Sequence, residues 1–396
     1  MSDQATSNTC WALARLQIPI QPDLASQIVQ HLLTLDKQQM EVTGGHGVDS
    51  DGGGGGISGQ ALANTLWGLA QRGTLVLSSQ SSDALEEMVR RRLVLGAALE
   101  AGRGSGGSHR STSAAETASA ALLPLVFNPS ELASVLYSFA KLQHRPSADI
   151  VDLMLSSTLG AFPSPSSPSS SINPGGGGGR SPGGPKHSSH YMTPQDLANT
   201  IWALSTLGIR PGSLWLGAFW ASSCSQITHF NAKDLAQTAY SLAKAGFQAG
   251  AGGQEGDSWK QETSDNTATI TPLVSSTTPL TQASESFQNP YSVIFLTEAA
   301  TALPRCRSQD LSNLTWGIAQ MGLRPPQSWC LALAEGLVRQ GDHLLGSDLA
   351  TTVWALGKMG FKPKPRSLLA VSEGNMSARD HCVCLHEFHP CIMRVG

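Results

Sequence analysis

"QDLANTIWALSTLGIRP" spans residues 195–211, and "QDLSNLTWGIAQMGLRP" spans residues 309–325. The two stretches align without a gap, and weaker copies are centred on aromatics elsewhere. The full series is Trp11, Trp67, Tyr137, Trp202, Tyr240, Trp316 and Trp354. From 202 to 240 and from 316 to 354 the separation is 38 residues, and from 240 to 316 it is twice that. Each longer separation holds a low-complexity tract: "DGGGGG" at 51–56, "AGRGSGGSHRSTS" at 101–113 and "PSPSSPSSSINPGGGGGRSPGGP" at 163–185, with a further Ser/Thr-rich run over 248–290. A 38-residue unit with inserts at its loops accounts for the pattern.

Within the copies the apolar residues fall at i, i+4 and i+7, as in Leu62, Leu66 and Leu69 or Leu197, Ile201 and Leu204. That spacing is one face of an α-helix. Acids stand near its start (Glu131, Asp196, Asp234, Asp310, Asp348), where they complement the helix dipole, and Gly208, Gly246, Gly322 and Gly360 are placed to stop it. After "RP" or "KP" comes a second apolar segment, as in "SLWLGAFWASSCSQI" and "SWCLALAEGLVRQ". Trp215 and Trp329 each lie 13 residues beyond their motif Trp, so the second segment keeps its register. One copy therefore predicts a helical hairpin whose core is too small to stand alone. The expected fold class is all-α: a right-handed α-solenoid of hairpins stacked face to face, interrupted by disordered Gly/Ser/Pro-rich inserts.

On this reading residues 1–45 hold a partial first repeat, and 60–100, 121–162, 191–247 and 291–375 hold the others. Inserts occupy 46–59, 101–120, 163–190 and 248–290, and 376–396 is an irregular tail. The opening "SNTCWALARLQIP" resembles the interior of a unit, so part of the N-terminal end is expected to be missing.

Composition narrows the function. Charged residues are 14% of the chain, below the roughly 25% of an ordinary globular protein, as inserts of this kind would make it. A net charge of −3 excludes a strongly basic nucleic-acid-binding domain, so a polyanion would have to be held by a local stripe. Seven cysteines without framework spacing point to a reducing compartment. No apolar run reaches the roughly 18 residues of a membrane helix, so no membrane contact is expected. Neither a transit peptide nor a signal peptide is visible at the start.

Two positions of the first helix, seven residues apart and so nearly on one face, are almost always polar and vary between copies. They read Asn8/Arg15, Asn64/Gln71, Ser134/Lys141, Asn199/Thr206, Gln237/Lys244, Asn313/Gln320 and Thr351/Lys358. A fixed scaffold carrying a changing pair of hydrogen-bonding groups suits a reader of one base per unit, because amides can pair with base edges at two points. Spacing alone equally allows an ordinary solvated face, or bonds between neighbouring hairpins. Arg145, Arg210, Arg324 and Lys362, each just before a proline, form a second candidate stripe, with Lys141, Lys244 and Lys358 nearby. A stack would align them along a phosphate backbone, though cations near helix C-termini also have a purely electrostatic reason. The motif aromatics are expected to be packing wedges between hairpins rather than stacking platforms.

Catalytic chemistry is thin. "CVCLHEFHPC" gathers Cys382, Cys384, His386, His389 and Cys391, yet without the paired spacing of a zinc site, so no metal or cofactor is expected. The Gly tracts have no preceding strand and no following "GK[ST]". Neither a nucleophile triad nor a carboxylate pair is legible, and the chain reads as a non-enzyme without a small-molecule substrate.

The period, the pattern "DLANTxWALxxLGxRP" and the P-x-x-x-W that follows resemble the octotricopeptide repeat of green-algal organelle RNA-binding proteins, which are related to FAST-kinase-like and RAP-domain proteins. The copies at 195–211, 309–325 and 347–363 match best, and that at 233–247 lacks the "RP" ending. Pro325–Pro326 with Trp329, and Pro211 with Trp215, stand where the family begins its second helix. The resemblance implies binding of single-stranded RNA in a chloroplast or mitochondrion, within a ribonucleoprotein, for RNA stabilisation, processing or translation. A protein-interaction scaffold, and a fragment of a processing factor whose RAP-like nuclease domain lies elsewhere, are the other readings.

Overall fold

A computed structural model of the chain describes residues 2–44, 57–71, 77–104, 125–162, 191–249 and 290–361. The body of each expected insert, and the tail from residue 362, lie outside these. Among the described residues the protein is all-helical, with thirteen α-helices numbered here in chain order. The odd-numbered helices carry the repeated motif: α1 (Asp3–Arg15), α3 (Gly59–Ala70), α5 (Pro129–Lys141), α7 (Pro194–Thr206), α9 (Ala232–Lys244), α11 (Ser308–Gln320) and α13 (Gly346–Lys358). The even-numbered ones are the second segments: α2 (Pro22–Gly44), α4 (Ser79–Gly104), α6 (Ala148–Gly160), α8 (Ser213–Ser225), α10 (Pro290–Ala302) and α12 (Gln327–Gln340).

Local chemistry sets the ends of the motif helices. Ser2, Ser58, Asn128, Thr193 and Asn231 each accept a hydrogen bond from a first-turn N–H, satisfying a donor the helix leaves open. Glu131 and Asp196 complete the cap by accepting the backbone N–H of Asn128 and Thr193 in return. The acids expected only to balance the dipole therefore also bond. Two of them reach the preceding motif helix: Ser130 Oγ donates to Asp196 and Ser308 Oγ to Asp348, each at 2.6 Å. At the other end Gly208, Gly246, Gly322 and Gly360 have positive φ, and Gln17 and Gln143 adopt the same left-handed backbone where the first and third copies lack glycine.

Each motif helix packs against the next: α1 on α3, α3 on α5, α5 on α7, α7 on α9, α9 on α11 and α11 on α13. The second helices follow the same order from α2 through α12, giving two layers. Between the motif helices glycines allow close approach, Gly68 against Cys10 and Gly317 against Ala239. Gly317 lies so close to α9 that a Cβ there would sit 2.5 Å from the Ala239 carbonyl carbon. In the second layer aromatic joints do this work. Trp215 stacks on Phe219 with centroids 5.2 Å apart, Phe162 sets its edge against both, and Trp220 meets Phe247 and Phe295.

The first three hairpins add a charged joint. Arg92, 4% exposed, donates to Asp36 (3.0 Å) and to the Ile57 carbonyl (2.8 Å), tying α4 to α2 and to the residues before α3. Burial lowers the Arg92 pKa, and Asp36 opposes that shift. Glu86 accepts from the Ser147 backbone (2.9 Å), the Ser147 hydroxyl and His144 (2.8 Å), tying α4 to α6.

One expected boundary changes. Ile57 and Ser58 were read within the 46–59 insert, yet Ile57 is fully buried and Ser58 caps α3, so they belong to the packed unit. Between Tyr240 and Trp316 the described residues hold the end of α9 at Lys244, α10 from Pro290, which packs on α9, and then α11.

Candidate functional site

The polar positions singled out in the sequence are the sixth and thirteenth residues from the start of each motif helix. Apart from the exposed Asn8, the sixth-position residues are half-buried. Asn64, Asn199 and Asn313 hold the same place in α3, α7 and α11, and among the described residues none of the three amides has a hydrogen-bond partner. Neighbouring polar residues are spent: Thr65 and Thr315 are buried and donate to the carbonyl four residues back, at 2.8 and 2.6 Å. The row is therefore not simply every polar residue of the helix.

Some members are already engaged. Gln237 Nε2 donates to the Ala198 carbonyl of α7 (3.1 Å), which leaves its carbonyl oxygen open. Asn8 accepts from Gln4 Nε2 (2.8 Å), and Thr351 donates to the Ser347 carbonyl (2.9 Å). Lys358 donates to Gln320, a bond between α13 and α11. For these residues the structure has the inter-hairpin or local bond that spacing alone allowed. Thr206 and Lys244 are exposed without a side-chain partner, Ser134 and Gln71 are half-buried, and Arg145, Arg210 and Arg324 are exposed. Lys362 and the Cys/His-rich tail lie outside the described residues.

The aromatics differ from a buried wedge. Each stands at the ninth position of its helix (the α3 copy included); Trp11 at 48% and Trp354 at 43% are exposed, and the other five are half-buried. Tyr137 meets Trp202 at 5.0 Å between centroids, and Tyr240 meets Trp316 at 4.8 Å, so they do bridge adjacent motif helices while keeping a solvent edge. The cations expected near phosphate lie over these rings: Lys141 over Tyr137 (5.6 Å) and Trp202 (5.3 Å), Lys358 over Trp354 (5.2 Å) and Arg15 over Trp11 (5.6 Å).

One position was missed. The second residue of each motif helix is Gln4, Gln60, Ser130, Gln195, Lys233, Gln309 or Ser347, polar in every copy. Positions two, six, nine and thirteen fall within about 60° of arc at 100° per residue, so they make one stripe. The signal was in the sequence as i, i+4, i+7, i+11, but a search for pairs seven apart passes over it. Across α7, α9 and α11 the stripe opens into a groove of about 320 Å³, with Trp202 and Tyr240 among its walls.

The stripe joins amides, hydroxyls, cations and ring edges over successive helices. Burial pushes Glu131 and Asp234 up from their usual carboxylate values, with Lys233 and Asn231 partly opposing this at Asp234. The described cysteines, Cys10, Cys224, Cys306 and Cys330, are free and buried, and desolvation raises the thiols of the first three to about 11, 12 and 12. They are poor nucleophiles. Among the described residues no group of three His, Cys, Asp or Glu side chains is placed to hold a metal ion, and no helix is long and apolar enough to cross a membrane. A scan against models of known families found no match, and a search of curated proteins found no similar chain.

Proposed function

We propose that the chain is an α-solenoid of helical hairpins, of the octotricopeptide type, that binds single-stranded RNA along the outer stripe of its motif helices. The observation that carries the reading is the register of Asn64, Asn199 and Asn313. Three unpartnered amides recur at one helix position, on the face that carries the half-exposed rings, on alternate motif helices of the packed row. An amide held without a partner at a half-buried place has lost part of its hydration and gains from a ligand edge that offers both a donor and an acceptor. Rings with a free edge suit unstacked bases, and cations beside them suit the phosphates that follow. The work proposed is protection, processing or translation of an organellar transcript in a ribonucleoprotein. Occupancy alone achieves this, so no turnover chemistry is required.

A second reading rests on the other layer. Leu214 is 77% exposed, and Val293 and Ile294 stand out from α10, so the second helices offer apolar side chains to a protein partner. On that reading the chain is a scaffold, and the stripe is only its solvated face.

The test is selection of the full chain against a randomised single-stranded RNA pool over a salt series, with double-stranded DNA as control. Enrichment of a short motif, weakened at particular bases by Asn199→Ala or Asn313→Ala, is the expected result. Binding without a preferred motif, equal for DNA and abolished by salt, would remove the RNA reading and leave the scaffold.

A further inference from the structure

The stripe is not uniform. Its ring contacts come in pairs, Tyr137 with Trp202 and Tyr240 with Trp316, and Trp202 makes no ring contact with Tyr240 although α7 packs on α9. The groove of about 320 Å³ lies at this break, with one ring of each pair, Trp202 and Tyr240, among its walls. Its volume stands at the small end of the roughly 300–1,000 Å³ typical of ligand pockets, which suits one flat ring system and not a peptide side chain with its backbone. The close approach of α11 to α9 at Gly317 fixes the distance between two of its walls.

The polar lining has a definite sense. Asp310 accepts one hydrogen bond, from the Arg307 backbone at 3.2 Å. Its counterparts Asp196 and Asp348 also take a serine hydroxyl from the preceding motif helix, and Asp310 takes none. The carboxylate thus keeps acceptor capacity directed at the groove. Gln237 adds a carbonyl oxygen, one N–H of its amide being held by the Ala198 carbonyl. Donors come from Lys233 and from the unpartnered Asn313 amide.

We propose that this groove is a guanine slot, in which one guanine of the strand is turned out between Trp202 and Tyr240 and gives its N1–H and N2–H to Asp310. Guanine is the base whose pairing edge sets two donors side by side, matching the two oxygens of a carboxylate, with an O6 acceptor beside them for Lys233 or Asn313. Adenine would turn its N1 lone pair toward the same carboxylate, and uracil offers one donor between two acceptors. The slot is built by three successive motif helices, so the base is read between units rather than by one. The inference rests on the RNA reading and adds a base identity to it.

The experiment uses the full chain and fluorescence anisotropy with a twelve-residue oligouridylate, and with the same strand carrying one central guanine, adenine or inosine. The guanine strand is expected to bind about tenfold tighter than the adenine strand. Inosine, which lacks the 2-amino group, is expected to lose most of that gain on the unaltered protein. In Asp310→Asn, which keeps an acceptor for the Arg307 N–H, the guanine-to-adenine ratio is expected to fall to about one. Equal binding of guanine, adenine and inosine strands would overturn the slot and leave RNA binding standing. A guanine preference unmoved by Asp310→Asn in a protein with an unchanged circular dichroism melt would equally overturn it. Failure of the plain oligouridylate and of every substituted strand to bind would sink the RNA reading itself, and the slot with it.

Discussion

Gln143 sits at φ 56°, in the left-handed region that its counterparts Gly208, Gly246, Gly322 and Gly360 fill without a Cβ. An L-residue there costs roughly 1–2 kcal/mol, whereas glycine adds about 0.4–1 kcal/mol of unfolded-state entropy to be lost on folding. The first effect wins. Gln143→Gly is therefore expected to raise stability by about 0.5–1 kcal/mol, read as a higher urea midpoint with an unchanged slope. The residue scale is also where the sequence was least legible. Asn64 and Thr65 are both polar neighbours on α3, yet one holds an open amide and the other is buried against its own helix. Polarity does not distinguish them; a rotation of about 100° does.

At the scale of the element, the spacing of α9 and α11 depends on a missing side chain. A Cβ on Gly317 would stand 2.5 Å from the Ala239 carbonyl carbon and 2.8 Å from the Tyr240 nitrogen, backbone atoms that move only with their helix. Alanine would gain about 1 kcal/mol of helix propensity but forces the helices apart, an overpacking cost of about 1–3 kcal/mol. Gly317→Ala is expected to lower stability by about 1 kcal/mol in a urea titration. Because Tyr240 is displaced with α9, the Tyr240–Trp316 contact should loosen, read as a change in near-ultraviolet circular dichroism. The helices themselves were legible: caps, acids and stopping glycines are local chemistry, written next to the residues they act on. What hid the fourth stripe position was the choice of a seven-residue interval, since Gln60, Ser130, Gln195 and Gln309 are as regular as the positions found.

For the whole molecule, burial is unequal along the row. In α7 seven residues are buried, from Leu197 to Ser205, whereas in α13 only Thr352 and Ala355 are. If units stack as proposed, each is held by its neighbours, and the least covered opens most often. Amide hydrogen exchange is expected to be slowest in α3, α5, α7 and α11, which bury most, and fastest in α13. Uniform protection across all motif helices would instead indicate one indivisible cooperative unit. The first three hairpins should resist opening for a different reason, because parting α2 from α4 would leave Arg92 and Asp36 charged and unpaired. Nothing in the repeated motif announces that pair, since Asp36 and Arg92 each occur once, 56 residues apart.

By itself the sequence determined that the chain is helical, where its motif helices begin and end, and which of their faces is apolar. Those properties follow from neighbours within a few residues, which periodicity and capping chemistry report directly. Only the tertiary structure decided which polar side chains stay open, that the aromatics keep a solvent edge, and that Ile57 and Ser58 belong to the packed unit. It also placed Asp310 and Lys233 in one groove with Trp202 and Tyr240. These depend on which helix lies against which and how closely, and such distances are set by the joint packing of residues far apart in the chain.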